Sequence, residues 1–508
     1  MLRRAGYYYQ NWNMLYEKWK TKVTTEINYL KSLEIEDLPK MEDEARVLSA
    51  EGTSSAYRLM ESYDQTINSV FKIWQYHFEF LNLGYAAYLN FSMFLKKLFP
   101  DISDQTITKM VAGIDVILFR PDKELRRLAK LAISLEVDNI IMKDDTPEKI
   151  MAHLQKDPKG KEWCASLESI KDPWFYYNSG TGFAHSPRSW IDDMRVPFSA
   201  LRGYIKKLKK GENIDILTQQ IIEQRDAITK KYLDLIKNED ERTVFLEQLQ
   251  LCRTVFPYVE EHNFYVEHWH HTIFWSKMWK FGEILEKNKF IKDKEDIFFI
   301  NRYEISETLY DLCDSWATGT PPRGPSYWPK IISKRKEIFN IFVRNRPLPA
   351  LGKPPVQITE PFTIMLWGVI SDKIINWLES YHSNKNNQTP NDKNKGRDGN
   401  HGLVLKGTAA SSGLVEGRAR VIFSVDEIKQ IQENEILVCP ITAPSWAPMF
   451  KQLKGLVADV GGMMSHAAIV CREYSLPAVV GTGLATQLIK TGQLIRVDGS
   501  TGIVTILD

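Results

Sequence analysis

The chain has 508 residues, 66 Lys and Arg against 64 Asp and Glu, 43% hydrophobic and 26% charged residues, and a formal net charge of +2. At about 150 residues per domain this is an ordinary globular composition for several domains, which excludes whole-chain disorder, a collagen-like repeat and a disulfide scaffold. The near-neutral balance argues against nucleic acid or an anionic membrane as the main partner. Cys164, Cys252, Cys313, Cys439 and Cys471 are odd in number, widely scattered and form no CxxC pair, as expected of reduced thiols. Met1-Leu2-Arg3-Arg4 leads into Tyr, Gln and Trp rather than an apolar run, and nowhere do 18 uncharged apolar residues occur together. The sequence therefore reads as a soluble cytoplasmic protein.

In chain order, residues 8–35, 55–98, 104–120, 124–136, 198–210, 214–237, 240–286 and 329–343 carry apolar residues at three-to-four spacing and predict helices. Asp101-Ile102-Ser103-Asp104 and Asp145-Thr146-Pro147-Glu148 read as helix starts, the second with Pro just inside. Loops rich in Gly and Pro interrupt at 172–197 and 317–328. Residues 1–382 are thus expected to form a large, mainly α-helical region. Ser383 to Asn400 holds six Asn, three Lys, two Gly and one Pro with no aliphatic or aromatic residue, so 383–402 predicts a flexible linker. From 403 to 508 the pattern changes to short, mostly β-branched runs at 403–405, 417–423, 435–439, 455–459, 478–480, 494–497 and 503–506. Helical stretches at 425–432, 446–453, 466–474 and 484–490 separate some of them. That alternation predicts one compact α/β domain in a multidomain chain.

The sharpest local signal is Gly461-Gly462-Met463-Met464-Ser465-His466-Ala467-Ala468, continuing through Cys471-Arg472-Glu473. A strand ends near Asp459, two glycines permit a tight turn, and Ser465 can cap a helix whose first turn holds His466. An imidazole at the positive end of a helix, beside free backbone N–H groups, suits a phosphoryl group; the spacing alone equally fits a capping loop with a surface histidine.

The block from Gly407 to Leu507 resembles the phosphohistidine swivelling (β/β/α) domain of the phosphoenolpyruvate-utilising enzymes, a family that includes phosphoenolpyruvate synthase, pyruvate phosphate dikinase, rifampicin phosphotransferase and phenylphosphate synthase. The matching residues are Gly407, Ser412-Gly413, Gly417-Arg418-Ala419, Glu435-Ile436-Leu437-Val438 and Thr442-Ala443-Pro444-Ser445-Trp446. They continue with Gly461-Gly462, Ser465-His466-Ala467-Ala468, Arg472-Glu473, Leu476-Pro477-Ala478-Val479-Val480-Gly481, Gly492-Gln493 and Val497-Asp498-Gly499. The resemblance implies that His466 is transiently phosphorylated on a ring nitrogen, with Gly461, Gly462, Ser465 and Arg472 around the phosphoryl group. Dikinase and synthase members usually carry a regulatory Thr two residues before the histidine; here that position is Met464. A histidine that visits two sites on a long tether suits a relay, because one hard displacement becomes two easier ones.

Larger family members charge the histidine through an ATP-grasp domain or use phosphoenolpyruvate on a barrel. Residues 1–382 hold no Walker-type loop and read as helical. The resemblance therefore implies that ATP and Mg²⁺ sit on a separate ATP-grasp-type partner subunit, as in phenylphosphate synthase, which the chain resembles most. By analogy residues 1–382 bind a small acceptor, expected to be hydroxylated and aromatic, such as phenol. Alternatives are a rifampicin-type or pyruvate-directed phosphotransferase fragment, or a phosphocarrier that releases no small product. Thirteen of fourteen Trp precede the linker, which fits either an aromatic core or an aromatic pocket. In the segment from Glu260 to His271, Glu267 and His271 lie one α-turn apart and His268 and His271 three residues apart, so this cluster is a candidate general base, with Trp269 and Trp275 beside it. A metal site is the lesser reading, since no Cys or further acidic cluster completes one. The turn Ser179-Gly180-Thr181-Gly182, with His185 and Arg188 nearby, is a candidate phosphoryl or acceptor contact.

Overall fold

A computed structural model describes residues 2–38, 51–344, 355–378 and 404–508, except 181, 216, 217, 359, 372, 376, 377, 425, 426, 428 and 429. The expected linker, 383–402, lies outside the described residues. The architecture is a large helical N-terminal region followed by a C-terminal mixed sheet with short helices. Contacts divide the chain into two units. One gathers Met1–Gln10, Phe80–Phe264 and Leu348–Asp508; the other gathers Asn11–Glu79 and Tyr265–Pro347.

In the second unit, the helices Trp12–Ser32, His271–Lys287, Arg302–Thr318 and Gly324–Arg344 pack with the first part of the long helix Glu51–Leu98. The Trp19 indole is fully buried and donates to the Tyr76 carbonyl at 2.8 Å. Asn301 and Glu304 form a capping box, and Arg335 then grips Glu304 with two bonds of 2.7 Å. Glu304 is thereby tied to helix architecture.

In the first unit the helical part runs through Asp104–Met110, Arg120–Ser134, Pro158–Trp174, Arg195–Lys209, Thr218–Leu235 and Glu239–His262. Ser103 caps the first of these, accepting from the Thr106 amide. The helix expected over 104–120 stops at Met110, because Gly113 turns the backbone to φ +68°. Pro158–Trp174 and Arg302–Thr318 were not expected as separate helices.

The C-terminal sheet is built from β1 (Val404–Lys406), β2 (Thr408–Ser411), β3 (Leu414–Val421), β4 (Ile436–Cys439), β5 (Gly455–Ala458), β6 (Ala478–Val480), β7 (Leu494–Asp498) and β8 (Ile503–Ile506). The order is β1-β8-β7-β3-β4-β5-β6-β2. Only the steps β3–β4, β4–β5 and β5–β6 are parallel. The long β3 joins the halves: Leu414–Arg418 pair with β7 and Ala419–Val421 with β4. β4, β5 and β6 are buried on both faces, as the unbroken runs Ile-Leu-Val-Cys, Gly-Leu-Val-Ala and Ala-Val-Val require. Ala419, Ile436, Val438, Val457, Val479, Ile495 and Val504 form the shared core. Among the described residues no helix is long and apolar enough to cross a membrane.

Candidate active site

The C-terminal end of β5 sets the site, where loops after parallel strands gather. Asp459, next after β5, is buried and accepts from the Thr486 amide at 3.1 Å and from the Thr482 and Thr486 hydroxyls. This pins the loop from which the backbone turns at Gly461, φ +140°. A Cβ there would come within 2.9 Å of the Ser465 hydroxyl, so glycine is required. Ser465 then caps the helix His466–Glu473, accepting from the Ala468 amide at 3.4 Å and donating to the Gly462 carbonyl at 2.8 Å. His466 is the first residue of that helix, as its sequence implied.

Its ring is anchored from the helical part of the same unit. Nδ1 lies 3.3 Å from Glu260 Oε2, and the Glu260 side chain is almost wholly buried. Nε2 is buried and hydrogen-bonds to none of the described residues. Glu260 stands in the last turn of Glu239–His262. Gly84 lets that helix approach closely: a Cβ at Gly84 would sit 2.7 Å from a Val259 methyl. The sequence reading paired Glu267 with His271 as a candidate base and named no carboxylate for His466, the place that Glu260 fills. Residues 263–270 form a π-helix, a departure from the α-helical period which that pairing assumed.

Glu267, His268, Trp269, His271 and Trp275 belong to the second unit. Glu267 lies 3.9 Å from His77 Nε2, in the second unit. His271 shares its Nδ1 with the Val266 carbonyl at 2.6 Å, and burial pushes its pKa down. His270 bonds Ser69 Oγ at 2.9 Å and is likewise lowered by burial; His268 is fully buried. Trp269 packs on Tyr265, and Trp275 on Phe298 and His271. A buried imidazole of lowered pKa is a weak proton acceptor, and these contacts fit an aromatic core. Arg472 donates to the Met463 and Ala410 carbonyls at 2.9 and 3.2 Å, tying the loop before His466 to β2. The Gly461 and Gly462 amides, expected to face a phosphoryl group, donate to the Trp367 and Leu366 carbonyls.

The segment after Trp174 does approach the site. Tyr177 stacks between Phe264 and Trp190, at 5.1 and 5.7 Å, and Trp174 meets Phe264 at 5.4 Å. Burial lifts the Tyr177 hydroxyl pKa well above its usual value, and the Glu260 charge adds to it, which places this ring within electrostatic reach of Glu260. The Trp446 indole donates to the Ser179 carbonyl at 2.9 Å, so the histidine-bearing domain touches the same segment. His185 and Arg188 lie further out on the loop, Arg188 exposed. The Gly180 amide is taken by Asn178 at 2.7 Å and the Ser179 amide by the Arg188 carbonyl at 2.9 Å. Thr181 lies outside the described residues.

Beyond the ring itself, polar bonds join the helical part to the histidine-bearing domain. Gln105 donates to the Ala409 and Gly499 carbonyls at 3.0 and 2.6 Å. Glu473 accepts from the Gly113 amide at 2.9 Å. Asp122, fully buried, accepts from Tyr474 at 2.6 Å and from Tyr204, and faces Arg126 at 3.0 Å. Tyr204 also reaches the Pro448 carbonyl at 3.0 Å.

Two titrating groups flank Glu260. Burial raises the Glu261 carboxyl to about 7, against a weaker lowering by a hydrogen bond with the Ile117 backbone. Burial lowers His262 to about 4. A carboxyl raised on folding stabilises the native state below its unfolded pKa, and that contribution is lost as pH rises through the folded value. As pH rises from about 4.5 to above 7, Glu261 therefore removes on the order of 3 kcal/mol of stability, the full cost being present only above the folded value. Glu261→Gln should be more stable than wild type at pH 8 and nearly equal to it below pH 4.5. Thermal midpoints across that range check this; parallel curves for the two proteins would refute it.

Comparison with known proteins places the site in context. Residues 431–502 match the model of the PEP-utilising enzyme, mobile domain. An uncharacterised phosphotransferase, YvkC, of Bacillus subtilis (strain 168) is 26% identical over 367 residues, 72% of this chain and 39% of that protein. A chondramide synthase of Chondromyces crocatus is 24% identical over 478 residues, 92% of this chain and 11% of that protein. A rifampicin phosphotransferase of Bacillus cereus is 50% identical over 104 residues, 20% of this chain and 12% of that protein. The chain thus spans two fifths or less of the length of these relatives. The first two similarities extend well beyond the histidine-bearing domain into the helical region.

Proposed function

We propose that this chain, which carries a mobile domain of the phosphoenolpyruvate-utilising enzymes, is a phosphotransferase that takes a phosphoryl group on His466 and passes it to a small hydroxylated acceptor. One observation carries the reading: His466 is tethered through Nδ1 to Glu260, which leaves Nε2 as the nitrogen with an uncommitted lone pair. A carboxylate accepting from Nδ1–H fixes the tautomer and orients the ring. In the first displacement Nε2 bonds phosphorus as the donor's O–P bond breaks. In the second the acceptor oxygen bonds phosphorus, the N–P bond breaks, and the hydroxyl proton leaves to a base. Both pass through loose transition states in which position and charge matter most.

The acceptor is aromatic and phenol-like in this reading, supported by the ring cluster of Trp174, Tyr177, Trp190 and Phe264, of which Tyr177 feels the Glu260 charge. ATP and Mg²⁺ belong to an ATP-grasp-type partner that charges His466. The test bypasses that partner: the chain is phosphorylated with phosphoramidate, and discharge is followed with a panel of phenols and aliphatic alcohols. Faster discharge with phenols, yielding an aryl phosphate, is the expected result. Loss of label by hydrolysis alone with every acceptor would favour a phosphocarrier. The pure chain, given ATP and Mg²⁺, should gain no stoichiometric label; self-labelling would overturn the partner's role.

A further inference from the structure

The short helix Pro361–Trp367 ends directly on the catalytic loop. The carbonyls in the last turn of a helix lack partners within it. Here Met365, Leu366 and Trp367 offer theirs to the amides of Met464, Gly462 and Gly461, at 3.0, 2.9 and 3.2 Å. The chain then leaves through Gly368 at φ +64°, whose amide returns to the Ile364 carbonyl at 3.1 Å, as glycine does after a helix end. Contact is backbone to backbone on both sides. A Cβ at Gly462 would sit 2.1 Å from the Met365 carbonyl oxygen, and one at Gly368 would sit 2.1 Å from that of Gly461. A few residues on, Lys373 Nζ lies 3.4 Å from Thr408 Oγ1 on β2 and would be 2.8 Å from a Cβ at Gly481, just after β6.

We infer that residues 361–373 are a fixed strap of the histidine-bearing body, positioning the loop before His466, so that any swing of that body pivots on the N-terminal side of Pro361. The inference rests on the phosphoryl-relay reading for the swing, but not for the strap. Three main-chain bonds and two glycine-only contacts hold it, and each would have to break for the strap to stay behind. Its consequence is definite. If both 361–373 and 404–508 ride on one body, the Asn-rich stretch between them closes a loop within that body. It does not set how far the histidine travels. The strap also takes the amides of Gly461, Gly462 and Met464, so none of the three is open to phosphoryl oxygens while it is seated.

Two measurements test this. The first deletes residues 386–393 from the full chain and follows single-turnover charging and discharge of His466. Both rates should stay within about twofold of wild type, because the shortened segment only closes a loop. A charging rate that collapses while discharge survives would place the pivot in the Asn-rich stretch and overturn the inference. The second needs no activity: hydrogen exchange in the uncharged wild-type chain should be slow at Gly461, Gly462 and Met464, and should stay slow after phosphorylation. Fast exchange at these amides before charging would show that the strap is not seated. Exchange that rises only on charging would show that it lets go. If no label enters wild-type His466, the relay reading fails, while slow exchange would still uphold the strap.

Discussion

His466→Ala should take up no phosphate from a charging partner, and its transfer to any acceptor should fall to the uncatalysed background. The imidazole is the nucleophile placed at the helix start after β5, where the Ser465 hydroxyl is engaged as the cap, and alanine removes it. In wild type the label should be acid-labile and stable to base, as a phosphoramidate bond is and a phosphoserine is not. Peptide mapping should place it between Met463 and Arg472. Thermal unfolding controls for folding, since among the described residues the ring hydrogen-bonds only to Glu260 while most of its surface is packed away. Base-stable, acid-labile label at wild-type level in the variant would sink the assignment.

Glu260→Gln should slow charging and discharge by about 10²-fold, a typical worth for a group that tunes a proton-bearing nucleophile. As Nε2 bonds phosphorus, positive charge spreads through the ring to Nδ1–H. A buried carboxylate 3.3 Å away stabilises that charge, whereas a neutral amide gives only a dipole and can present its NH₂ to Nδ1, selecting the wrong tautomer. Glu260→Asp should recover part of the rate. The discriminating readout is the ring tautomer: nitrogen NMR of His466 should show the proton on Nδ1 in wild type, and Glu260→Gln should lose that preference. A tautomer unmoved in Glu260→Gln, with rate lost only in proportion to stability, would reduce Glu260 to packing. His271→Ala, by contrast, should discharge within about threefold of wild type, because its Nδ1 is held by Val266 and its pKa is lowered by burial.

The histidine and its turn were legible because the information is local. Gly461-Gly462, a capping Ser465 and the following alanines specify a strand-to-helix turn within a dozen residues, and seven of the eight strands announce themselves as β-branched or apolar runs. The exception, β2, reads Thr-Ala-Ala-Ser and carries almost no apolar signal, though it ends buried beside β6. Glu260 was invisible for a different reason. Its partner lies 206 residues away, and no spacing rule links two elements brought together by docking. Glu267, seven residues further on, stood out only for its spacing from His271, and that spacing assumed an α-helical period where residues 263–270 form a π-helix. Gly113 shows the same limit in reverse: a single positive φ ends a helix that the hydrophobic pattern carries on to residue 120.

The bonds from Gln105, Gly113, Asp122, Tyr204 and Trp446 have a consequence for how easily the histidine-bearing body can leave. Each is a hydrogen bond whose two ends water can satisfy once they separate, so each contributes about 1 kcal/mol net, and rather more where the Asp122 charge is involved. Parting at such a seam wets donors and acceptors in place of stripping apart a wholly oily face. In the relay proposed for this chain, the freed surfaces would thus be less prone to stick to other molecules. Specificity comes from the number and direction of the bonds, and speed from the small worth of each. A relay that must return to the same berth on every cycle needs both.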